Sequence, residues 1–397
     1  MDERYVNREI ETDAESVGDT IRTVKRTKHV NYFDYSLLFV VIFLICFGCL
    51  MLYSASSFSS VIKFEDSTFY LKKHLLSVFL GTGALVFCTF FDYRLYKEKS
   101  IFITVAYWLS IFSLFLVKFS PLGMEYNGAK RWLNIGEFSI QPAEIVKITT
   151  ILSIALVISN FSRELQSRKT MGIILVYTIV SAGGVTVLTQ NLSSGIIIGF
   201  IGVSMLFISN RKYIIFGVIS AVSVVLILIV MKFGASFRMG RIDAWLDPMG
   251  NSQEGGFQIL QGLYAIGSGG MFGKGLGQSV QKMGYIPEAQ NDYIFTIICE
   301  ELGLVGAAAI ICLFIFLIYR MFSISNNAPD LFGSMIVTGV LMQIAIQTVL
   351  NIAVVTNSIP NTGVTLPFIS YGGTSILFLM AEVGLVLSVS KRIKRVR

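Results

Sequence analysis

Residues 287–303 read PEAQNDYIFTIICEELG and run on into an apolar stretch centred near Cys312. Four carboxylates, Glu288, Asp292, Glu300 and Glu301, border or interrupt it. The apolar stretch is long enough for a bilayer-spanning helix, which needs about 20 residues. Charge inside such a helix is costly and has to find protein or water as a partner. The rest of the chain repeats the pattern. Of its 397 residues 54% are hydrophobic and only 14% are charged, well below the charge content of a soluble globular domain. Continuous apolar runs favour helices over a membrane β-barrel, because each helix satisfies its own backbone N–H and C=O groups in lipid.

Hydropathy places about ten spans, centred near Phe43, Val86, Phe112, Leu152, Ile179, Phe200, Leu226, Cys312, Gln343 and Leu379. The expected fold class is an all-α polytopic membrane protein. Basic residues set its orientation: Arg94, Lys97 and Lys99; Arg163, Arg168 and Lys169; Arg211 and Lys212; and the closing KRIKRVR all fall on one side. With that side cytoplasmic, both termini are inside and two long loops, 120–141 and 233–291, face outward. The organisation is therefore a cytoplasmic, disordered tail over 1–31 and a transmembrane domain over 32–397. The large extracytoplasmic loop 233–291 lies between the seventh and eighth spans. At about sixty residues it exceeds an ordinary connector, and its aromatics, glycines and opposed charges predict that it folds against the membrane face.

The net charge of +7 does not point to nucleic acid, since the bases sit between apolar runs rather than in one stripe. The five cysteines lie in or against apolar runs and read as small hydrophobes. His29 and His74 are isolated and take no catalytic role. The first apolar run follows a polar tail of about thirty residues, which does not fit a cleavable signal peptide.

Several constellations can carry chemistry. In GAKRWLNIGEFSIQPAEIVKI (128–148), Lys130, Arg131 and Trp132 suit an interfacial anchor, but Glu144 and Lys147 share a helix face at the mouth of a span. Pro142 suits the first turn of that helix. Arg238 and Arg241 are also three apart and suit phosphate. The glycines of 262–277 match neither a phosphate-binding loop of Walker type nor a dinucleotide fingerprint, so no nucleotide is expected. They read as tight turns and close backbone approach. Asp292 suits a helix N-cap, or, if buried near apolar rings, a general base with a raised pKa. Prolines and glycines over 360–373 predict a re-entrant segment lining a polar cavity.

Three motifs occur in order: GAKRWLNIGEFSIQPAEIVK, AIGSGGMFGKGLGQSVQKMGYIPEAQNDYIFTIICEELG and PNTGVTLPFISYGGTS. By these the chain resembles the SEDS family, the shape, elongation, division and sporulation proteins of bacteria, from about Phe33 onward. The closing motif leans toward its FtsW and SpoVE side. The resemblance implies ten transmembrane helices in the bacterial cytoplasmic membrane and a peptidoglycan glycosyltransferase acting on lipid II. It places the essential acid on Asp292, the important tryptophan on Trp132, and the Q-P-x-E-x-x-K pair on Glu144 and Lys147. It also makes Lys282, within the second motif, a substrate-binding candidate beside Arg131, Arg238 and Arg241. A class B penicillin-binding protein and other division or elongation proteins are the implied partners. Two departures stand out: QNLSSG (190–195) lacks the family's usual acid, and Asn357 replaces a usual glycine.

The chemistry expected from that substrate is a single displacement with inversion. Asp292 takes the proton of the attacking sugar hydroxyl. Arg131, Arg238, Arg241 or Lys147, with a divalent cation (Mg²⁺ or Mn²⁺) as candidate helper, offset the charge of the departing pyrophosphate. The rival functions are a lipid II flippase and a non-catalytic division scaffold.

Overall fold

The computed structural model describes residues 29–126, 129–136, 138–210, 217, 236–251 and 255–396. Strand β1 (His29–Tyr32) leads into helices α1 (Tyr35–Phe64) and α2 (Phe69–Phe90), the short α3 (Arg94–Glu98) and α4 (Ser100–Phe119). Strands β2 (Gly123–Tyr126), β3 (Ala129–Ile135) and β4 (Phe138–Ile140) follow, then α5 (Pro142–Asn160), α6 (Arg168–Leu188) and α7 (Leu192–Ser209). The large loop carries α8 (Ser236–Leu246) and α9 (Gly256–Ser268). The chain continues through α10 (Ile294–Asn326), α11 (Leu331–Val355), α12 (Thr374–Ser390) and β5 (Ile393–Val396).

Among the described residues, eight helices are long and apolar enough to cross a membrane, and α12 is a shorter apolar helix. Nine of the ten expected span centres fall within these helices; the one near Leu226 lies outside the described residues. Helices α5 and α11 form the interior, where nearly every side chain of α5 is buried. The periphery presents rings to lipid, with Phe79 75% and Phe90 73% exposed. Side-chain caps satisfy the free N–H groups at several helix starts. Asp34 accepts from Leu37 N at 2.9 Å, Asn191 from Ser194 N at 3.0 Å and Asp330 from Gly333 N at 2.8 Å.

Two differences from the sequence reading concern the ends and the first outer loop. His29–Tyr32 is a strand paired antiparallel with Ile393–Val396, so the last residues of the expected tail are ordered backbone and both ends lie on one side. The rest of the tail lies outside the described residues. The loop after α4 folds into a three-stranded antiparallel sheet in the order β2-β3-β4.

The long α10 is broken. At Gly303 the backbone turns to φ 68°, ψ −168°, a conformation open essentially to glycine alone. The break leaves helix carbonyls and N–H groups without their usual partners. The glycine-rich loop after α9 fills the gap. Lys274 N and Gly275 N donate to the carbonyls of Glu300 and Glu301 at 3.0 and 2.9 Å, while Leu304 N and Val305 N donate to those of Gly270 and Met271. A Cβ on Gly273 would stand 2.2 Å from the Glu301 carbonyl oxygen. Close backbone approach therefore explains these glycines.

Candidate active site

The connection between α11 and α12, residues 356–373, ties one end of the bundle together. Asn357 accepts from Trp245 Nε1 through its carbonyl at 3.0 Å. The Asn361 carbonyl accepts from Arg241 Nη1 at 3.1 Å, and its side chain meets Gln258 at 3.4 Å. Ser193 donates to the Thr362 carbonyl. Tyr371 N donates to the Gln290 carbonyl at 2.9 Å. Gly363 lies against Asp292, where an added Cβ would be 3.8 Å from Oδ2. Helices α7, α8, α9 and α10 thus meet over one segment. That segment also runs inward, with Leu366, Phe368 and Ile369 buried, so that a Cβ on Gly48 of α1 would touch the Phe368 carbonyl. It takes the irregular path that its prolines and glycines predict.

Asp292 stands two residues ahead of α10. Tyr293 occupies the cap position and no side chain caps this helix. The N-cap reading is therefore incorrect, because the helix begins one residue too late for Asp292 to serve it. The Asp292 carbonyl instead accepts from Asn351 Nδ2 at 2.7 Å, and the same amide nitrogen donates to Val364 at 2.8 Å. Asn351 is fully buried on α11 and joins the acid's backbone to the closing segment. Asp292 is half-buried, and its partial loss of water pushes the carboxyl up to about 6, the negative charge of Glu288 adding to this while Arg241 opposes it. A carboxyl in that range is suited to accept a proton near neutral pH.

Strain collects here. Among the described residues, five non-glycine residues have positive φ, and four of them, Gln190, Glu288, Asn357 and Phe368, lie on the segments just described. Asn357 at φ 56° explains why asparagine can stand where the resemblance implies glycine, since asparagine tolerates this region best of the other residues. Asn191, in the altered QNLSSG stretch, caps α7.

The other expected residues separate into groups. Arg131 reaches the Gln190 carbonyl at 3.4 Å, which fixes β3 to the α6–α7 corner. Trp132 lies on the same strand, opposite Met124. Of Arg238 only the backbone is described, three residues before Arg241 on α8. Glu144 and Lys147 form a buried pair at 2.9 Å, and Ser375 at the start of α12 donates to Glu144 at 3.2 Å. Gln141 N also approaches Thr374 Oγ1 at 3.4 Å, so this pair adjoins the end of the same closing segment.

Lys282 belongs to another group. Its ammonium lies 2.8 Å from Glu301 Oε1 and 2.8 Å from Ser54 Oγ of α1, and all three side chains are buried. Glu300 is held by Lys274 at 2.7 Å and by Ser279 and Val280 N. These two deep carboxylates clamp the glycine-rich loop to the broken helix. The residues that sequence reading missed are Asn351, Asn361 and Ser193. A lone asparagine within the apolar run TVLNIAVV was the available signal for the first, because a buried amide must find partners.

The cell cycle protein family of FtsW, RodA and SpoVE matches residues 35–395 of the chain. The chain is 37% identical to stage V sporulation protein E of Bacillus subtilis, over 90% of the chain and 97% of that relative. It is 34% identical to the probable peptidoglycan glycosyltransferase FtsW of Geobacter sulfurreducens, over 92% and 97%. Among solved structures it is similar to a chain from a work described as structural coordination of polymerization and crosslinking by a peptidoglycan synthase complex. That likeness has a TM-score of 0.75 at 24% identity and covers 91% of this chain and 98% of that one. The rod shape determining protein RodA of Thermus thermophilus matches with a TM-score of 0.65 at 23% identity, over 91% and 97%.

Proposed function

Because the chain belongs to the FtsW, RodA and SpoVE family of cell cycle proteins, we propose that it is a peptidoglycan glycosyltransferase that polymerises lipid II with Asp292 as its general base. The observation that carries the reading is the setting of Asp292. Its carboxyl is raised to about 6, neighbours Arg241 electrostatically and lies against the segment that joins four helices of the outer face.

The reaction joins a sugar 4-hydroxyl to an anomeric carbon as a lipid pyrophosphate leaves. Asp292 accepts the hydroxyl proton as the new bond forms. Arg241, held at the Asn361 carbonyl, sets a positive charge beside Asp292 that would stabilise the phosphate oxygens. We assign Arg131 and Arg238 the same role, and to Trp132 the packing of the sugar. Glu144 and Lys147 act from beneath, where the buried pair sets the position of the α12 start and the closing segment. Lys282 supports the loop that holds α10 and so positions Asp292 from a distance. One base suffices for single displacement, so the product linkage is inverted.

A divalent cation would come in with the substrate's pyrophosphate, which commonly holds Mg²⁺, since among the described residues no group of three His, Cys, Asp or Glu could hold a metal. When bound it would offset charge on the leaving pyrophosphate.

The protein is a multi-pass membrane protein. We place its paired termini in the cytoplasm and Asp292 outside, following the basic loops, and we assign a class B penicillin-binding protein as its partner. The test is polymerisation of labelled lipid II by the purified chain, wild type against Asp292→Asn. Glycan from the wild type and none from the variant supports the reading. Equal yields, or headgroup translocation without polymer, overturn it.

A further inference from the structure

The interior of the bundle holds a polar column that runs on beyond the groups the proposed reaction uses. It starts at the Glu144–Lys147 pair with Ser375 and continues inward to Glu382 on α12, which is 1% exposed. Gln343 on α11 is fully buried and donates through Nε2 to Glu382 Oε2 at 2.8 Å. Gln347 is 4% exposed and lies one turn further along the same face of α11. Because α11 and α12 run antiparallel, this turn leads from Glu382 back toward Ser375 and Glu144.

Two features of the column do not balance. The first is charge: two carboxylates, Glu144 and Glu382, share one ammonium, Lys147, which is already paired with Glu144 at 2.9 Å. With both carboxylates ionised, one negative charge is left inside the membrane, where an uncompensated ion is expensive. The second is hydrogen bonding. Glu382 Oε1, Gln343 Oε1 and Gln347 Oε1 are all buried and all without a donor. Three oxygens with nothing to accept from, beside one surplus negative charge, call for a species that is positive and binds oxygen only. A proton on Glu382 would serve one or two of the oxygens. A small monovalent cation takes oxygen ligands alone and would balance the charge, whereas a divalent ion would leave the column positive. Among the described residues no group of three His, Cys, Asp or Glu could hold a metal, so the neutral glutamine oxygens decide the ion's class.

We propose that Glu382, Gln343 and Gln347 form an intramembrane site for a sodium-like monovalent cation, between α11 and α12 and beneath the Glu144–Lys147 pair. Occupancy fixes the packing of α5, α11 and α12 against one another. The proposal does not depend on the glycosyltransferase reading.

The test is thermal unfolding of the purified full chain in detergent, at constant pH and ionic strength, in NaCl against choline chloride. Wild type should gain roughly 2–5 °C in a saturable manner as sodium replaces choline. Glu382→Gln removes the surplus charge and should abolish that gain while keeping the pairing with Gln343. Gln347→Leu should weaken apparent sodium affinity at least several-fold, and it serves if the first variant does not fold. Sodium-23 relaxation should show exchange broadening with wild type that is lost in either variant. Identical melting in both salts would overturn the proposal, as would a gain that survives both substitutions. Stability that follows pH and ignores sodium would overturn it too, leaving a protonated Glu382.

Discussion

The raised carboxyl of Asp292 makes the acid limb of the pH profile a direct test of its role. With its midpoint at about 6, about a tenth of the carboxyl is ionised at pH 5 and about nine-tenths at pH 7. If the ionised form is the base, polymerisation should fall about tenfold between those values. An aspartate at the ordinary value near 3.9 would stay more than about nine-tenths ionised at pH 5 and show almost no fall. The neighbours sharpen the test. Removing the positive charge in Arg241→Gln should move the midpoint up, and removing the negative charge in Glu288→Gln should move it down. The assay is the initial rate on labelled lipid II across pH 5–8, with recovery checked after return to pH 7. Stability gives an independent sign. A carboxyl raised by the fold contributes stability that is fully present below about 3.9 and is lost as pH rises through about 6. Asp292→Asn should therefore melt no lower than wild type at pH 7.5 while losing on the order of 10²–10⁴-fold in rate. A rate that stays level down to pH 5, or a variant that melts lower, would refute the reasoning that burial tunes this acid.

Three further substitutions test the supporting structure. Asn351→Leu strips the Asp292 and Val364 carbonyls of a shared donor at a cost of about 1–3 kcal/mol each, and should lower both the melting temperature and the polymerisation rate. Gly303→Ala forces a side chain into a positive-φ turn with its Cβ 2.3 Å from Gly273 N, and should sharply reduce folded protein recovered by size-exclusion chromatography. Lys282→Met leaves Glu301 buried with its charge unmatched, which typically costs about 3–5 kcal/mol, and the double variant with Glu301→Gln should recover much of the lost melting temperature.

The membrane fold was legible because the spans are long and their flanking bases are asymmetric. Asp292, Glu144 and Lys147 were legible because charge at the mouth of a span is costly enough to need a reason. The role of the 356–373 segment was only partly legible. Its prolines and glycines announced an irregular path, but the partners of Asn361 and Thr362 are backbone carbonyl contacts set by where that path goes. The small outer sheet was missed because AKRWLNI has no clean alternation and its bases suited an interfacial anchor equally well. Lys282 illustrates a general ambiguity. A lysine in an outer loop looks available to a substrate, and only the fold shows that Ser54 of α1 and Glu301 of α10 enclose it.

The pairing of His29–Tyr32 with Ile393–Val396, reinforced by Arg320 of α10 gripping Asp34 at 2.6 Å, brings residues from opposite ends of the sequence side by side. Between His29 and Val396 the backbone is thus almost a closed ring. A short linker across that seam would let the chain be opened elsewhere, as at the exposed turn 161–167, giving a circular permutant with the same helical neighbours. The order in which the spans are threaded into the bilayer would change while their packing stayed as it is, which separates what insertion requires from what the folded protein requires.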